Sequence, residues 1–411
     1  MNKKMDFKAF ITNYWFIFAG VFVSTFVGFW ALTVLPRMKP NIFKRMFHIP
    51  ARKSVTNAVQ LGGLPLSIGI FLGILSLLYV PDPNHIFGVH DLRFVKYWLI
   101  SGSFIILYGY LDDKFELRPI VKLTTQLVSV FIFAFYTSWS FHNYYSSAAF
   151  IICSIWGLGV LNGSNLLDGL DTLTVKIGLV TYAIIGAMGI YYGSGATIIG
   201  TGICASALIS FYFFNKEPAK IHLGEIGGSF IGFSYLLLCS FLYLKIKTTH
   251  HVFHATFVTL SLLSLPMVEL GVSFLRRIFN RRSPFSGDRL HIHHILRNFH
   301  NFSASGTASV MAFSYTLVCL STFGLAVFEF PLATFLVTVF LEISIYVAVG
   351  AKYWIGHDTI NFHPKALFNY LRKKDIMIID SSKIDDFHIT ILQEDEEDDM
   401  EEDENNDKYA S

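Results

Sequence analysis

Apolar residues along this chain come in long uninterrupted runs, not in the strict alternation of surface strands. Eleven such runs follow one another, near 9–33, 60–80, 97–111, 121–138, 148–161, 172–191, 195–214, 226–245, 252–272, 306–327 and 331–350. A bilayer core needs roughly 20 mostly apolar residues per helix. The run at 148–161 is shorter and borrows residues from its flanks. The pattern predicts an all-α polytopic membrane protein with about eleven transmembrane helices over residues 1–351. The first run is too long for a secretory signal and has no small-residue cleavage site after it, so it is expected to stay as a helix.

Composition agrees and narrows the class. The 411 residues are 53% hydrophobic and only 15% charged, where soluble domains carry about 25% charged residues. This excludes a disordered chain, a nucleic-acid-binding protein and an ordinary cytosolic enzyme. The formal charge of +2 conceals two opposite halves. From Lys352 onward 7 Lys/Arg face 16 Asp/Glu, a balance of −9, which leaves 25 against 14, or +11, before it. Loops that follow odd-numbered runs hold 17 Lys/Arg and loops that follow even-numbered runs hold 4. Because cytoplasmic loops are enriched in Lys and Arg, the odd loops read as cytoplasmic, with the N-terminus outside and the C-terminus inside. Lys3, Lys4 and Lys8 run against that trend.

Residues 352–393 mix a helix-like stretch with two alternating ones and read as a small cytoplasmic appendage. Residues 394–404 are nearly continuous acid, and 394–411 read as a disordered tail. Such a tail can simply stay solvated, bind a basic partner, or compete with phosphate substrates for a basic loop. Cys153, Cys204, Cys239 and Cys319 all fall inside apolar runs with no paired spacing, which predicts small buried residues and neither a disulfide nor a zinc site.

Scarce charge makes the remaining carboxylates informative, because ionisable groups near a membrane core are costly. Asp112-Asp113-Lys114 closes the third run. Adjacent carboxylates repel unless a cation sits between them, and two hard oxygen donors suit Mg²⁺; a solvated helix end is the plainer account. Asn165, Asp168 and Asp171 are spaced by three, which predicts one polar helix face. Capping of the next helix explains one of those acids but not three aligned groups. Gly224-Glu225-Ile-Gly227-Gly228-Ser229 opens the eighth run, where glycines admit a ligand and a helix N-terminus favours anions. Glu225 is there either a metal ligand or an acid facing the helix dipole.

A long basic loop carries Arg276-Arg277, Arg281-Arg282, Asp288-Arg289 and then His291-Ile-His293-His294. Arginines clamp phosphates bidentately, and histidines donate to phosphate oxygens, bind metal or move protons. Phosphate contact is favoured over zinc because no thiolate or metalloprotease helix accompanies the histidines. The first loop adds Lys44-Arg45 and Arg52-Lys53 before Gly62-Gly63, a stretch that suits lipid headgroups as well as a substrate phosphate. Together these are the parts of phosphoryl transfer at a membrane edge, with a lipid as one substrate and a soluble anion as the other.

At these residues the chain resembles the polyprenyl-phosphate N-acetylhexosamine-1-phosphate transferase family, in its WecA/TagO-like branch, over residues ~9–350. Leu111-Asp112-Asp113-Lys114 resembles the family's Asp-Asp motif, with Lys122 and Gln126 similar to the lysine and glutamine after it. Asn165-Leu-Leu-Asp168-Gly-Leu-Asp171 resembles its Asn-x-x-Asp-Gly-x-Asp motif, and Arg282 through Leu296 resembles the HIHH signature of that branch. The resemblance implies transfer of N-acetylhexosamine 1-phosphate from a UDP-sugar to polyprenyl (undecaprenyl) phosphate, releasing UMP and starting a cell-envelope polysaccharide. It implies Mg²⁺ as cofactor, with Mn²⁺ as an alternative ion. It further implies Asp112, Asp113, Asp168 and Glu225 as metal ligands, and Asp112, Asp113, Asp168, Asp171, His291, His293 and His294 as catalytic residues. Lys53, Lys122, Asn165, Arg282 and Arg289 become substrate-binding residues. The expected partners are the UDP-N-acetylhexosamine, polyprenyl phosphate and membrane lipid, with no nucleic acid and with a homodimer as the family-level state. The expected location is the bacterial cytoplasmic (inner) membrane, multi-pass, with the active site facing the cytoplasm.

Three positions depart from the family pattern. Glu225 and Glu269 stand where Asp is usual, and Arg52-Lys53 lacks the usual histidine after it. A catalytically silent scaffold of envelope assembly, or a transporter, is the alternative reading; a transporter places its charges near the midplane on broken helices.

Overall fold

The computed structural model describes residues 7–38, 58–79, 89–115, 117–142, 146–281, 283–284 and 290–354. Among them are thirteen helices and no strand. In chain order they are α1 (Phe7–Met38), α2 (Gly63–Ser76), α3 (Val89–Phe115), α4 (Pro119–His142), α5 (Ser147–Leu166), α6 (Leu173–Tyr192) and α7 (Gly195–Asn215). There follow α8 (Gly224–Thr249), α9 (Val252–Leu262), α10 (Ser264–Phe279), α11 (Ile292–Asn298), α12 (Ala304–Val327) and α13 (Pro331–Trp354). Local chemistry marks several ends. Ser146, Ser194 and Ser303 accept the N–H groups of Ala149, Thr197 and Gly306 at the starts of α5, α7 and α12.

Every predicted apolar run corresponds to helix. Among the described residues nine helices are long and apolar enough to cross a membrane, and a tenth span results if α9 and α10 are counted as one. The expected eleven thus resolve into nine full-length spans, one broken span and the short apolar α2. This is a multi-pass membrane protein built of helices. The bend of 62° between α9 and α10 has identifiable causes. Pro266 removes a backbone donor from the first turn of α10. The Ser264 hydroxyl lies 2.7 Å from Ser261 O and 2.9 Å from Glu342 Oε1, sharing its one proton between an acceptor on α9 and one on α13.

α8 is the central post. It packs against α2, α3, α5, α6, α7 and α9, and every residue from Ile226 to Tyr243 is buried. Its sequence is apolar all round, as a helix enclosed on all sides must be. Trp98 of α3 stacks on Phe233 of α8 at 5.3 Å and donates its indole N–H to Phe233 O at 3.0 Å. Outer helices instead expose large apolar side chains, such as Phe313 and Phe340, a surface suited to lipid. The four cysteines are free, three of them buried. The first basic loop (39–57), the expected tail (394–411) and the appendage beyond Trp354 lie outside the described residues.

Candidate active site at the helix ends

The site is built around the N-terminus of α8. Backbone of 59–63 runs alongside 220–223: Val59 N donates to Lys220 O at 3.0 Å, and Gly62 N donates to His222 O at 2.8 Å. Gly224 then turns into the helix with φ +71°, a conformation L side chains rarely adopt. A Cβ at Gly224 would also meet Asp113 Oδ2 at 2.8 Å. Asp113 takes the exposed donors of the new helix: Oδ1 accepts from Glu225 N at 2.9 Å and Oδ2 from Ile226 N at 3.4 Å. A carboxylate there satisfies orphan N–H groups and faces the positive end of the dipole.

Its neighbour Asp112 faces the other way and is 4% exposed. Oδ1 accepts from Leu117 N at 2.9 Å and Oδ2 lies 3.3 Å from Lys122 Nζ. The same ammonium pairs with Glu225 Oε2. Asn165, in the last turn of α5, donates its amide to that oxygen at 2.6 Å. Close approach of α5 to α8 is required here, since a Cβ on Gly228 would run into the Asn165 side chain. Three of the motifs singled out in the sequence therefore meet at Glu225. Below them Asn162 donates to Gln126 Oε1 at 3.0 Å, and Gln126 donates to Tyr108 OH at 3.1 Å, so the polar groups continue inward as a bonded chain.

Asp168 and Asp171 differ from the sequence expectation. Asn165, Asp168 and Asp171 do not share a helix face, because α5 ends at Leu166 and the two acids lie in the turn before α6. Asn165 alone is helical. The turn closes through Thr172 at φ 65°, an outlier for a β-branched residue, whose N–H donates to Asn215 Oδ1 at 2.8 Å. Asn215 donates onward to Ile221 O at 2.9 Å. Asp171 Oδ2 accepts from Ala219 N at 3.0 Å, and Oδ1 lies 3.8 Å from His222 Nδ1. Asp168 Oδ1 accepts from Thr174 Oγ1 at 2.8 Å. Burial pushes the Asp168 carboxyl up to about 7; the Thr174 hydroxyl opposes this, and the negative charges of Glu225 and Asp171 add to it. Burial lowers His222 from its ordinary value, with Asp171 opposing.

The histidines stand at the start of α11, and Glu269 of α10 meets the first of them. His291 Nδ1 lies 2.5 Å from Glu269 Oε1, and Tyr346 of α13 donates to the other oxygen of Glu269. His293 is 1% exposed, and neither ring nitrogen has a hydrogen-bond partner among the described residues. Its ring lies 4.3 Å from that of His294 and is nearly parallel to that of His291 at 5.5 Å. Burial holds His293 well below its ordinary value, and the neighbouring His294, His291 and Arg276 also oppose its charged form, so it is neutral at pH 7. Nε2 of His293 occupies the space a Cβ on Gly169 would need, which joins the histidine segment to the Asp168 turn. Arg276 and Arg277, read in the sequence as phosphate clamps, are buried and hold the loop backbone, donating to Leu290 O at 2.8 Å and Pro284 O at 2.7 Å. Lys53, Arg282 and Arg289 lie outside the described residues.

Sequence reasoning missed Asn215, Thr174 and Tyr346. Asn215 carried a faint signal, an amide closing an apolar run, whereas a tyrosine inside a span carries none. The donor set fits a hard divalent cation. Among the described residues no three His, Cys, Asp or Glu are grouped as a metal cage, but Mg²⁺ usually takes only one or two protein carboxylates together with substrate phosphates. Asp168 and Glu225, mutually repelling carboxylates beside the Asn165 amide, supply such donors.

Residues 95–244 match glycosyl transferase family 4. The chain is 26% identical over 261 residues to the probable undecaprenyl-phosphate N-acetylglucosaminyl 1-phosphate transferase of Bacillus subtilis strain 168, covering 61% of this chain and 69% of that one. It is 32% identical over 193 residues to the undecaprenyl-phosphate alpha-N-acetylglucosaminyl 1-phosphate transferase of Thermotoga maritima, covering 46% of this chain and 58% of that one. To the phospho-N-acetylmuramoyl-pentapeptide-transferase of Lactococcus lactis it is 25% identical, over 62% of this chain and 81% of that one.

Proposed function

We propose, from the match of residues 95–244 to glycosyl transferase family 4, that this chain transfers an N-acetylhexosamine 1-phosphate from its UDP-sugar to polyprenyl phosphate. The observation that carries this reading is the meeting of Asp112, Lys122, Asn165 and Glu225 at the helix ends, with the histidine segment joined to the Asp168 turn through Gly169. A phosphate oxygen of the lipid attacks the β-phosphorus of the UDP-sugar. The bond from that phosphorus to the bridging oxygen breaks, UMP leaves, and a lipid pyrophosphoryl sugar remains. No deprotonation is required of the lipid, because its phosphate is already largely ionised at pH 7, with a second pKa near 6.

The residues divide the work by charge. Lys122 sits between Asp112 and Glu225 and is the cation of the cluster that meets incoming phosphate. Asn165 orients Glu225, and the turn bearing Asp168 is fixed by Thr174 and by Asn215 acting on Thr172. Neutral His293 has two buried nitrogens to satisfy, and a phosphate oxygen or hydroxyl in the site satisfies one. Mg²⁺, held by Asp168 and Glu225 with Asp112 nearby, would neutralise the pyrophosphate charge. Asp113 serves the helix end. The Lys/Arg asymmetry of the loops supports an active site on the cytoplasmic face of the bacterial inner membrane.

Purified chain, polyprenyl phosphate and a panel of radiolabelled UDP-N-acetylhexosamines test the reading directly. Lipid-extractable label with stoichiometric UMP is expected, abolished by EDTA and restored by Mg²⁺. Failure with every UDP-sugar leaves a silent scaffold or a transporter in its place.

A further inference from the structure

We infer that Tyr346, on the last helix, is a positioning residue for His291 and acts through Glu269. This rests on the reading of the histidine segment as part of a transferase site. Glu269 is 1% exposed, His291 6% and Tyr346 3%. A buried carboxylate is stable only when its oxygens are bonded, and Glu269 divides them between two elements. Oε1 accepts from His291 Nδ1 at 2.5 Å, and Oε2 accepts from the Tyr346 hydroxyl.

An imidazole whose Nδ1–H is held by a carboxylate has its tautomer and ring plane fixed, with Nε2 left to face the chemistry. Tyr346 in turn fixes the carboxylate. The same helix pins the backbone one residue earlier: Trp354 donates its indole N–H to Leu290 O at 3.1 Å, alongside Arg276 at 2.8 Å. Thus α13 holds the histidine segment by its side chain and by its main chain. It does so from a span that reaches the acidic cluster nowhere in sequence.

The relay has a sign. The Tyr346 hydrogen bond draws negative charge towards Oε2, so removing it returns charge to Oε1 and stabilises the imidazolium. Other ionisable groups facing this point are Arg276, His293, His294 and, through Tyr346, Glu342. None is altered by Tyr346→Phe.

Deuterium exchange at the imidazole C2 of His291, read by mass spectrometry on the full purified chain across pH, reports its protonation whether or not the enzyme turns over. Tyr346→Phe is expected to raise the His291 midpoint by roughly half a unit or more, a shift typical of one lost charge-tuning hydrogen bond. Glu269→Gln, which keeps Tyr346 and the side-chain volume, is expected to lower it. Thr338→Val is the control, since it removes another buried contact of α13, the 2.7 Å bond to Thr322, and is expected to leave the midpoint in place. In the transfer assay Tyr346→Phe is expected to cut kcat about tenfold with less than about a twofold change in KM for the UDP-sugar. An unmoved midpoint in Tyr346→Phe, or an equal shift in Thr338→Val, overturns the inference. So does an unmoved midpoint in Glu269→Gln, should Tyr346→Phe fail to fold. If the wild-type chain transfers no sugar while Tyr346→Phe and Glu269→Gln shift the midpoint in opposite directions, the transferase reading fails and the relay stands.

Discussion

Lys122 of α4 places its ammonium 3.3 Å from Asp112 Oδ2 of α3, so two consecutive helices are joined at the site by opposite charges. The ammonium also meets Glu225, which makes it the internal counter-ion of the cluster. Replacing it leaves neighbouring carboxylates uncompensated and removes a cation from the incoming phosphates. Lys122→Met is therefore expected to lower UMP release by roughly 100-fold or more. The Mg²⁺ concentration for half-maximal residual activity is expected to fall, because the acids then favour an external cation more strongly. Activity within about fivefold of wild type would defeat the role given to Lys122.

Gly169 is the point where the Asp168 turn meets His293. Gly169→Ala places a methyl group on Nε2, and His293 is enclosed, so the turn or the ring must shift. A loss of about 1–3 kcal/mol is expected from such overpacking, together with a fall in kcat. Thermal unfolding in detergent and the transfer assay measure the two effects. A fully stable, fully active Gly169→Ala chain would refute the contact.

Asp113 offers a cleaner separation of stability from chemistry. Both its oxygens serve the first turn of α8. Asp113→Ala is expected to cost about 1 kcal/mol of stability, the usual magnitude for a lost N-cap, and Asp113→Asn less, since its carbonyl oxygen still accepts. If Asp113 instead acts chiefly on Mg²⁺, the two variants will be equally stable and will differ from wild type only in cation dependence.

The buried histidine gives the protein a pH dependence of defined sign. His293 is held below its ordinary value near 6.5, so the unfolded chain takes up a proton more readily than the folded one. Its neutral form costs nothing above that ordinary value, and stability is lost as the pH falls from there towards the depressed folded value. Melting temperature is expected to drop between about pH 6.5 and 5, and His293→Phe, which keeps a stacked ring, is expected to flatten that slope. A variant with an unchanged slope would show that another group dominates.

How much of this was legible beforehand can be judged residue by residue. Asp112, Asn165 and Glu225 stood out because charges and amides are rare among apolar runs, Lys122 through the family resemblance, and the structure brings all four together. The one-face helix expected for Asn165, Asp168 and Asp171 did not form. A spacing of three assumes continuous helix, and the turn at Thr172 is stabilised by Asn215, 43 positions away. Arg276 and Arg277 carried a genuine basic signal, yet burial turned both inward to hold loop carbonyls. Composition alone cannot distinguish a cation facing solvent from one facing backbone.

The class of the molecule is written in the order of its residues: a membrane-embedded helix bundle whose few acids and histidines concentrate at the ends of particular runs. Hydrophobic length and the cost of charge in lipid are properties of local composition, so they are readable in one dimension. Tertiary structure alone decided which oxygen faces which nitrogen. Asp112 turns to Lys122 while Asp113 turns to the start of α8, although the two are adjacent and chemically identical. Glu269 reaches both His291 and Tyr346 because α10 and α13 pack together. Such choices depend on the crossing of helices far apart in the chain, where a single ångström separates a hydrogen bond from an unpaired buried group.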